Sequence, residues 1–263
     1  MLREALRYPT RGDDAVETLL VGGGLHLLAA AFPPAAPVGA VFVLGFLVHV
    51  LARAADGPRG LAERPPPTFR AVRRVGRAGV GGLLVSAAYL LLPTVLLAVT
   101  ATGALSRRVG DAGLGLGPTV GVLAGSLTTL FLALAFVYLL PAALANYAAA
   151  GRLRAAFDRA SLLRAATDAR YFVAFCSAGT LLGLAAVAAG GLDRVLVGFF
   201  LAFYLEVAAA ALVVEGMYGV VGVVGVDGTE TGRTESRVEP GGDVGTGFDA
   251  DTEAESTVES DTG

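Results

Sequence analysis

The sequence predicts an all-α membrane protein: a polytopic bundle of about six transmembrane helices, followed by a disordered acidic tail. Three observations support this prediction. Apolar stretches recur from Leu19 to Val226, separated by charged connections. Hydrophobic residues make up 54% of the 263 residues and charged residues 16%, compared with about 25% charged residues in an average soluble domain. The arginines are concentrated in alternate connections, which is typical of chains that cross a membrane several times.

The distribution of the arginines predicts the orientation of the bundle. All twenty basic residues are arginines, and seventeen of them lie in the amino-terminal segment, the second and fourth connections and the tail. Only three lie in the connections on the opposite side. Because positively charged residues are retained in the cytoplasm during insertion, we expect a multi-pass protein of the plasma membrane with both termini in the cytoplasm.

The first two apolar stretches form a hairpin. Asp14 and Glu17 have the spacing of a capping box and open a helix that runs to about Phe32. The prolines between Pro33 and Pro37 turn the chain, and the second arm covers about 38–51. Each arm has about 14 to 18 residues, at or below the roughly 17–25 that a spanning helix needs. The hairpin therefore either crosses the membrane or re-enters on the same face, which would reduce the spans to four.

Four further spans follow the hairpin, and two of them contain a proline, Pro93 and Pro141. A proline inside a helix bends it and frees a backbone carbonyl, which neighbouring helices can satisfy. The membrane domain is therefore predicted to cover residues 1–226. The four spans run over about 78–105, 118–145 and 171–189, and from 195 to beyond 214.

The last segment, 227–263, differs from the rest in charge. It carries eleven acidic residues and two arginines, a net charge of −9, whereas residues 1–226 carry +6. With so few apolar residues it cannot offset the entropy of ordering, and we expect a disordered cytoplasmic tail. Two interpretations stay open: a solvated extension of the kind that suits a halophile, or a docking tail for a basic partner.

Two arginine-rich connections are predicted to form amphipathic helices in the plane of the membrane, on its cytoplasmic side. From Thr68 to Gly79, at about 100° per residue, four arginines share one arc and apolar residues face the other way. The segment Arg152–Arg170 repeats the pattern more weakly. The predicted partner of the first helix is anionic lipid; retention of arginines for topology alone is the alternative. The four arginines are Arg70, Arg73, Arg74 and Arg77.

A small set of polar residues is predicted to lie near the middle of the membrane. Counting along the helices places Glu206, His26 and Tyr89 each about 16 Å from the start of its span. A charged carboxylate is costly at that depth, so we expect Glu206 to be protonated and to share a hydrogen-bonded cluster with the other two. The cluster could bridge helices, or it could exchange protons during transport.

Gly117, Gly121 and Gly125 form a ladder of small residues four apart on the fourth span. Such spacing lets a second helix approach closely. The ladder would pack within the bundle or, if it faces outward, join copies of the chain in a homo-oligomer. Chance spacing in a chain with 36 glycines is the alternative.

Motifs of catalysis and of cofactor or metal binding are missing from the sequence. It has no phosphate-binding glycine loop, no His-Glu-x-x-His, no Gly-x-Ser-x-Gly and no cluster of histidine, cysteine or carboxylate ligands. We therefore expect neither an enzyme nor a bound cofactor or metal. The arginine clusters lie between spans with few aromatic residues for stacking, so membrane lipid is a nearer partner than nucleic acid.

Three stretches of the chain resemble a known family. They are 2–24 (LREALRYPTRGDDAVETLLVGGG), 45–93 (with GFLVHVLARAADG, PPPTFRAVRRVGRAG and YLLLP) and 141–171 (PAALANYAAAGRLRAAFDRASLLRAATDARY). On these residues the chain resembles domain of unknown function 4013, a group of archaeal polytopic membrane proteins. The family usually has Gly-Tyr at Gly45-Phe46, and a tryptophan in the first interfacial segment, where this chain has none. The resemblance implies a topology and a prokaryotic plasma membrane, and it transfers no functional residue.

Two classes of function follow from the sequence. The first is a non-enzymatic membrane scaffold or lipid-interacting protein whose basic segments bind anionic headgroups. The second is a small transporter or proton-coupled permease that uses Glu206. A cavity beside Glu206 would favour the second class, since transporters bind their substrates near the midplane.

Overall fold

The structure, a computed structural model, describes residues 2–56, 61, 64–110, 116–191 and 196–218, with the backbone alone for 104–110 and 116–122. The described residues all fall within one compact unit, Met1–Gly228. The tail predicted to be disordered, 227–263, lies outside the described residues.

The described residues form eight α-helices, joined by short turns and by 3-10 segments. No strand occurs among them, so the all-α prediction is confirmed. The helices are α1 (Leu2–Arg7), α2 (Ala15–Ala31), α3 (Ala36–Leu51), α4 (Val72–Gly110), α5 (Leu116–Ala150), α6 (Arg159–Thr167), α7 (Ala169–Gly191) and α8 (Val197–Gly216).

Five helical segments are long and apolar enough to cross a membrane. The amino-terminal pair, Leu2–Thr10 and Ala15–Ala31, meets at a bend of 91° and would supply a sixth. The second arm of the hairpin is longer than the sequence suggested, because 3-10 turns continue α3 at both ends to give 24 helical residues. The five segments are Pro33–Asp56, Val72–Gly103, Leu123–Ala150, Ala169–Gly191 and Val197–Gly216.

The prediction of a separate in-plane helix over Thr68–Gly79 is wrong. Residues 65–71 are not helical, and from Val72 one helix of 39 residues continues through the arginines into the span. At about 1.5 Å per residue α4 is about 58 Å long, roughly twice the hydrocarbon thickness of about 30 Å. The amphipathic pattern of its first turns arises because this part of α4 packs against α3 on one side.

The second predicted in-plane helix, Arg152–Arg170, is broken into shorter pieces. A 3-10 turn covers Leu153–Phe157, and α6 begins only at Arg159. Asp158 between them has an extended backbone, and its carboxylate accepts a hydrogen bond from the backbone N–H of Ser161. An aspartate at this position caps the new helix and ends the preceding turn.

The buried core lies around α8, which packs along α7 and also contacts α1, α2 and α3. Almost every residue of α8 from Ala202 to Met217 is buried. Its Phe203 meets Phe46 of α3 and Phe69 of the following loop, with ring centroids 5.4 and 6.0 Å away. Phe46 and Phe69 themselves stack at 4.8 Å. This aromatic trio joins three separate parts of the chain.

Helix α1 and the turn that follows it belong to this core. Ala5 and Tyr8 are fully buried. The hydroxyl of Tyr204 on α8 donates to the carbonyl of Leu6. The segment is therefore held by α8, even though arginines make it polar in composition.

Helices α3 and α4 approach each other closely. A Cβ atom on Gly79 would overlap the carbonyl oxygen of Val41, and one on Gly45 would overlap that of Val75. The two backbones therefore touch, which only glycine allows. Gly81, two residues further, lies against the ring of Tyr147 on α5.

The predicted glycine ladder on the fourth span does not behave in this way. A Cβ atom on Gly125 would meet nothing within 4 Å, so this position does not pack against another helix of the described chain. The side chains of 117 and 121 lie outside the described residues. Packing of the ladder inside the bundle is wrong at Gly125. Contact between copies of the chain stays a prediction for Gly117, Gly121 and Gly125.

Candidate functional site

A histidine and a glutamate meet between α2 and α8. His26 Nε2 lies 3.0 Å from Glu206 Oε1, and the two side chains are 23% and 21% exposed. The contact between these residues, 180 positions apart in the chain, was predicted from their common depth. Its functional role stays a prediction.

The other ring nitrogen of His26 determines how the pair carries its proton. His26 Nδ1 lies 3.0 Å from the carbonyl oxygen of Gly22. A carbonyl can only accept, so Nδ1 carries a hydrogen. The bond between Nε2 and Oε1 then holds one proton, either on a neutral Glu206 or on a histidinium beside a carboxylate. Both forms are neutral as a pair, which reduces the cost of placing it among apolar helices.

Tyr89 lies elsewhere, so the predicted cluster of three is wrong for this residue. Its hydroxyl donates to the carbonyl oxygen of Ala156 at 2.8 Å, and its ring stacks on Phe157 at 5.5 Å. Equal depth does not place residues on the same side of a bundle. Helix α4 packs against α3 and α5, whereas the pair lies between α2 and α8.

A cavity of about 490 Å³ adjoins the pair. It lies among α2, α3, α7 and α8, and apart from His26 and Glu206 its lining is made of leucine, alanine, valine and glycine. Glu206 Oε2 is buried and has no hydrogen-bond partner within the described residues. The arrangement can therefore offer one acid–base pair to a small, mostly apolar molecule.

Arg70 is held by two carboxylates and is not turned toward lipid as predicted. Its Nη2 lies 2.7 Å from Asp14 Oδ1 and 3.0 Å from Glu17 Oε2. Glu17, followed by Asp14, raises the pKa of the Arg70 guanidinium. The capping box predicted for Asp14 and Glu17 is also wrong. The side chain of Asp14 accepts no hydrogen bond from a backbone N–H of α2 and pairs with Arg70 instead. The loop is thereby tied to the start of α2.

The other three predicted lipid contacts, Arg73, Arg74 and Arg77, lie in the first two turns of α4. All three are exposed, and within the described residues none makes an ion pair or a side-chain hydrogen bond. On the same exposed surface the next residues are Val80, 50% exposed, and then Leu83 and Leu84. Charge therefore gives way to exposed apolar surface within one turn, as at a membrane boundary.

The remaining chemistry of the described chain is sparse. Within residues 2–56, 61, 64–110, 116–191 and 196–218, no group of three or more histidine, cysteine or carboxylate side chains could hold a metal ion. The candidate functional features are thus the His26–Glu206 pair with its cavity and the arginines at the ends of the helices. Neither involves a recognised catalytic motif.

Comparison with known proteins gives one match. A family model described as protein of unknown function (DUF4013) matches residues 28–192, more than half of the chain. The matched residues include the arginines of α4, whereas His26 and Glu206 lie just outside them. The stretch 2–24, on which part of the resemblance rested, also lies outside the match. No curated protein and no solved structure matches the chain.

Proposed function

The chain belongs to the DUF4013 family, whose description assigns no function, and we propose from its geometry that it is a non-enzymatic membrane protein that binds anionic lipid headgroups. The arginine-rich end of the bundle is the proposed binding surface. This end is defined by the first turns of α4, the last turns of α5 and the adjoining loops.

The observation that carries the proposal is the exposed row of Arg73, Arg74 and Arg77. If these arginines served only to stabilise the fold, we would expect each to pair with a carboxylate. Arg70 is paired in this way, with Asp14 and Glu17. The three have no such partner in the part of the chain that is described. Each basic residue near an anionic membrane surface contributes about 1 kcal/mol, and salt screens that attraction.

Lipid retention by the purified full chain tests this proposal. The protein is incorporated into nanodiscs from equal amounts of an anionic and a zwitterionic phospholipid, and the lipids around it are counted by mass spectrometry. We expect enrichment of the anionic lipid at low salt, a smaller enrichment at high salt, and loss of most of it in the variant Arg73→Gln/Arg74→Gln/Arg77→Gln.

The matched control uses the one arginine of the group that is already paired. Arg70→Gln removes the same charge as Arg74→Gln, but its partners are Asp14 and Glu17. We expect Arg74→Gln to lower the enrichment more than Arg70→Gln does. Equal retention of both lipids by the parent protein would reject the proposal.

A second candidate function is transport of a small apolar solute coupled to protons. The cavity beside His26 and Glu206 favours it, because a pair that shares one proton lies on the wall of this cavity. It ranks second because the lining offers a single polar pair, whereas transporter sites usually combine several polar groups and broken helices.

Proton movement into vesicles tests the second candidate. Glu206→Gln keeps the shape and much of the hydrogen bonding of a neutral carboxyl group but cannot titrate. Vesicles that contain a pH-sensitive dye are prepared with the parent protein and with the variant. Acidification by the parent alone supports transport, and equal leakage from both preparations rejects a role of Glu206 in it.

A further inference from the structure

A pocket lined by arginines lies at the arginine-rich end, in the segment Arg152–Arg170, whose individual residues were not singled out from the sequence. It has a volume of about 650 Å³ and is enclosed by the last turn of α5, the 3-10 turn and the start of α6. Arg152, Arg154 and Arg159 line it, together with Asn146 and Ser161. Within the described residues these three arginines have no ion-pair partner.

Asn146 supplies a second, independent sign of a ligand. The residue is 7% exposed, and its Oδ1 accepts a hydrogen bond from Ser161 Oγ at 3.0 Å. Its Nδ2 is buried and has no acceptor in the described chain. A buried donor without a partner costs free energy, and this one lies on the wall of a pocket lined by three cations. An oxygen of a bound anion would satisfy it.

The charges of the lining define the class of ligand. Asp158 also lines the pocket, but its carboxylate already accepts from the N–H of Ser161 at the start of α6. Three guanidinium groups against one engaged carboxylate leave an excess of positive charge. Guanidinium forks match the oxygens of phosphate groups in geometry as well as in charge.

Residues on both sides of the pocket contact α4. Asn146 precedes Tyr147, whose hydroxyl is 3.5 Å from the carbonyl oxygen of Ala78 in the first turns of α4. At the other side of the pocket, Phe157 stacks on Tyr89, and Leu90 to Leu92 beyond it are exposed.

We propose that this pocket binds a phosphate ester, with the phosphate oxygens at Asn146 Nδ2 and the guanidinium groups of Arg152, Arg154 and Arg159. The proposal shares one premise with the proposed function, namely that this end of the bundle meets phosphate groups. It concerns other residues than Arg73, Arg74 and Arg77, and the two can fail separately.

Calorimetric titration of the full chain in a neutral detergent tests the pocket. Three probes are compared at low salt: inorganic phosphate, glycerol phosphate and a dihexanoyl phosphatidylglycerol. Saturable binding of any of them supports the proposal. Tighter binding of the short-chain lipid identifies a lipid as the source of the phosphate, and equal binding of glycerol phosphate identifies a soluble phosphate ester.

Variants then assign the binding to the pocket. Arg154→Gln removes one charge-assisted contact, and we expect it to weaken the affinity for the probe about tenfold. Asn146→Asp should also weaken binding, because it keeps the shape and the acceptor for Ser161 but places a negative charge at the phosphate. Arg154 is exposed, so its variant remains informative even if the buried Asn146 variant fails to fold.

The controls separate this proposal from the previous one. Arg164→Gln removes an exposed arginine of α6 that does not line the pocket, and it should bind like the parent. The variant Arg73→Gln/Arg74→Gln/Arg77→Gln should also keep the saturable binding. If that triple variant abolishes binding while Arg154→Gln and Asn146→Asp leave it unchanged, or if no probe binds, the pocket is not a phosphate site.

Discussion

The two halves of the α4–α5 hairpin have different surroundings. In the inner half, at the arginine-rich end, Gly79 touches the backbone of α3 and Gly81 lies against Tyr147. In the outer half, large apolar residues such as Leu91 and Phe131 are 66% and 63% exposed. A soluble protein could not tolerate that surface, but lipid tails are as apolar as leucine, so it costs little in a membrane.

The comparison shows where the specificity of the fold is encoded. The outer half needs only to be apolar and helical, and its polar contact between α4 and α5 is a long one, 3.4 Å between Thr100 Oγ1 and Thr129 Oγ1. The inner half needs particular shapes at particular positions. Substitutions should therefore be costly in the inner half and nearly neutral at matched positions in the outer half.

The largest expected effect is that of Phe203→Ala. This side chain of α8 is fully buried, meets three other rings and lies over Gly22. Its removal should leave a cavity and lower the free energy of unfolding by about 3–5 kcal/mol. Denaturation in detergent, followed by circular dichroism, measures the change. Phe131→Ala in the outer half is the control and should cost about 0.5 kcal/mol or less; similar losses at both positions would remove the distinction between the buried core around α8 and the exposed outer half.

The next effect is expected at the helix crossing. Gly79→Ala should destabilise the fold by about 1–3 kcal/mol, because the new methyl group overlaps the carbonyl of Val41 and the helices must separate. Gly125→Ala is the matched control: it adds the same methyl group where nothing lies within 4 Å. Thermal stability of both variants in the same detergent measures the difference. A parent-like Gly79→Ala protein would mean that α3 and α4 do not touch there.

A smaller effect is expected where Tyr89 holds the 3-10 turn. Tyr89→Phe removes the donor to Ala156 and should cost about 0.5–1.5 kcal/mol. Tyr147→Phe is the control, since its hydroxyl lies 3.5 Å from its acceptor, at the limit of hydrogen-bond distance. Hydrogen exchange of residues 153–157 should increase in the first variant and hardly change in the second. Unchanged exchange in Tyr89→Phe would show that the bond does not order the turn.

The smallest effect on stability is expected from Gly121→Leu. Gly125, one turn away on α5, faces open space, so a larger residue at 121 should leave the unfolding of the single chain unchanged. If the ladder joins copies of the chain, assembly size in detergent should fall. Light scattering measures this size, and a marked loss of stability without a change in size would place the ladder inside the bundle.

The sequence predicts the features of this fold that depend on composition and on position along a helix. The apolar spans follow from hydropathy, and the contact between His26 and Glu206 follows from counting residues, because a polar group at membrane depth requires a partner. Tyr89 could not be placed in the same way, since its depth says nothing about which neighbour its side of α4 faces.

Three other features could not be predicted, each for a different physical reason. The amphipathic pattern around Arg73 is the same whether a helix lies in the membrane plane or packs one side on α3, so periodicity does not distinguish these cases. The contact of Gly45 with α4 was hidden among 36 glycines. The arginine-lined pocket had one signal in the sequence, the single amide side chain of Asn146 in an apolar run of α5. The arginines that line the pocket with Asn146 come from a turn whose path depends on packing, which the sequence does not show.

Cysteine labelling tests most directly whether the arginine-rich end faces the cytoplasm and the outer half lies in lipid. In a background with the single cysteine replaced, Cys176→Ser, one cysteine is introduced by Arg74→Cys or by Leu91→Cys, about 26 Å further along α4. A membrane-impermeant maleimide is applied to intact cells and to inside-out vesicles. We predict labelling of Arg74→Cys in the vesicles alone and of Leu91→Cys in neither preparation. Labelling of Arg74→Cys in intact cells would reverse the orientation, and rapid labelling of Leu91→Cys would contradict a lipid-embedded outer half.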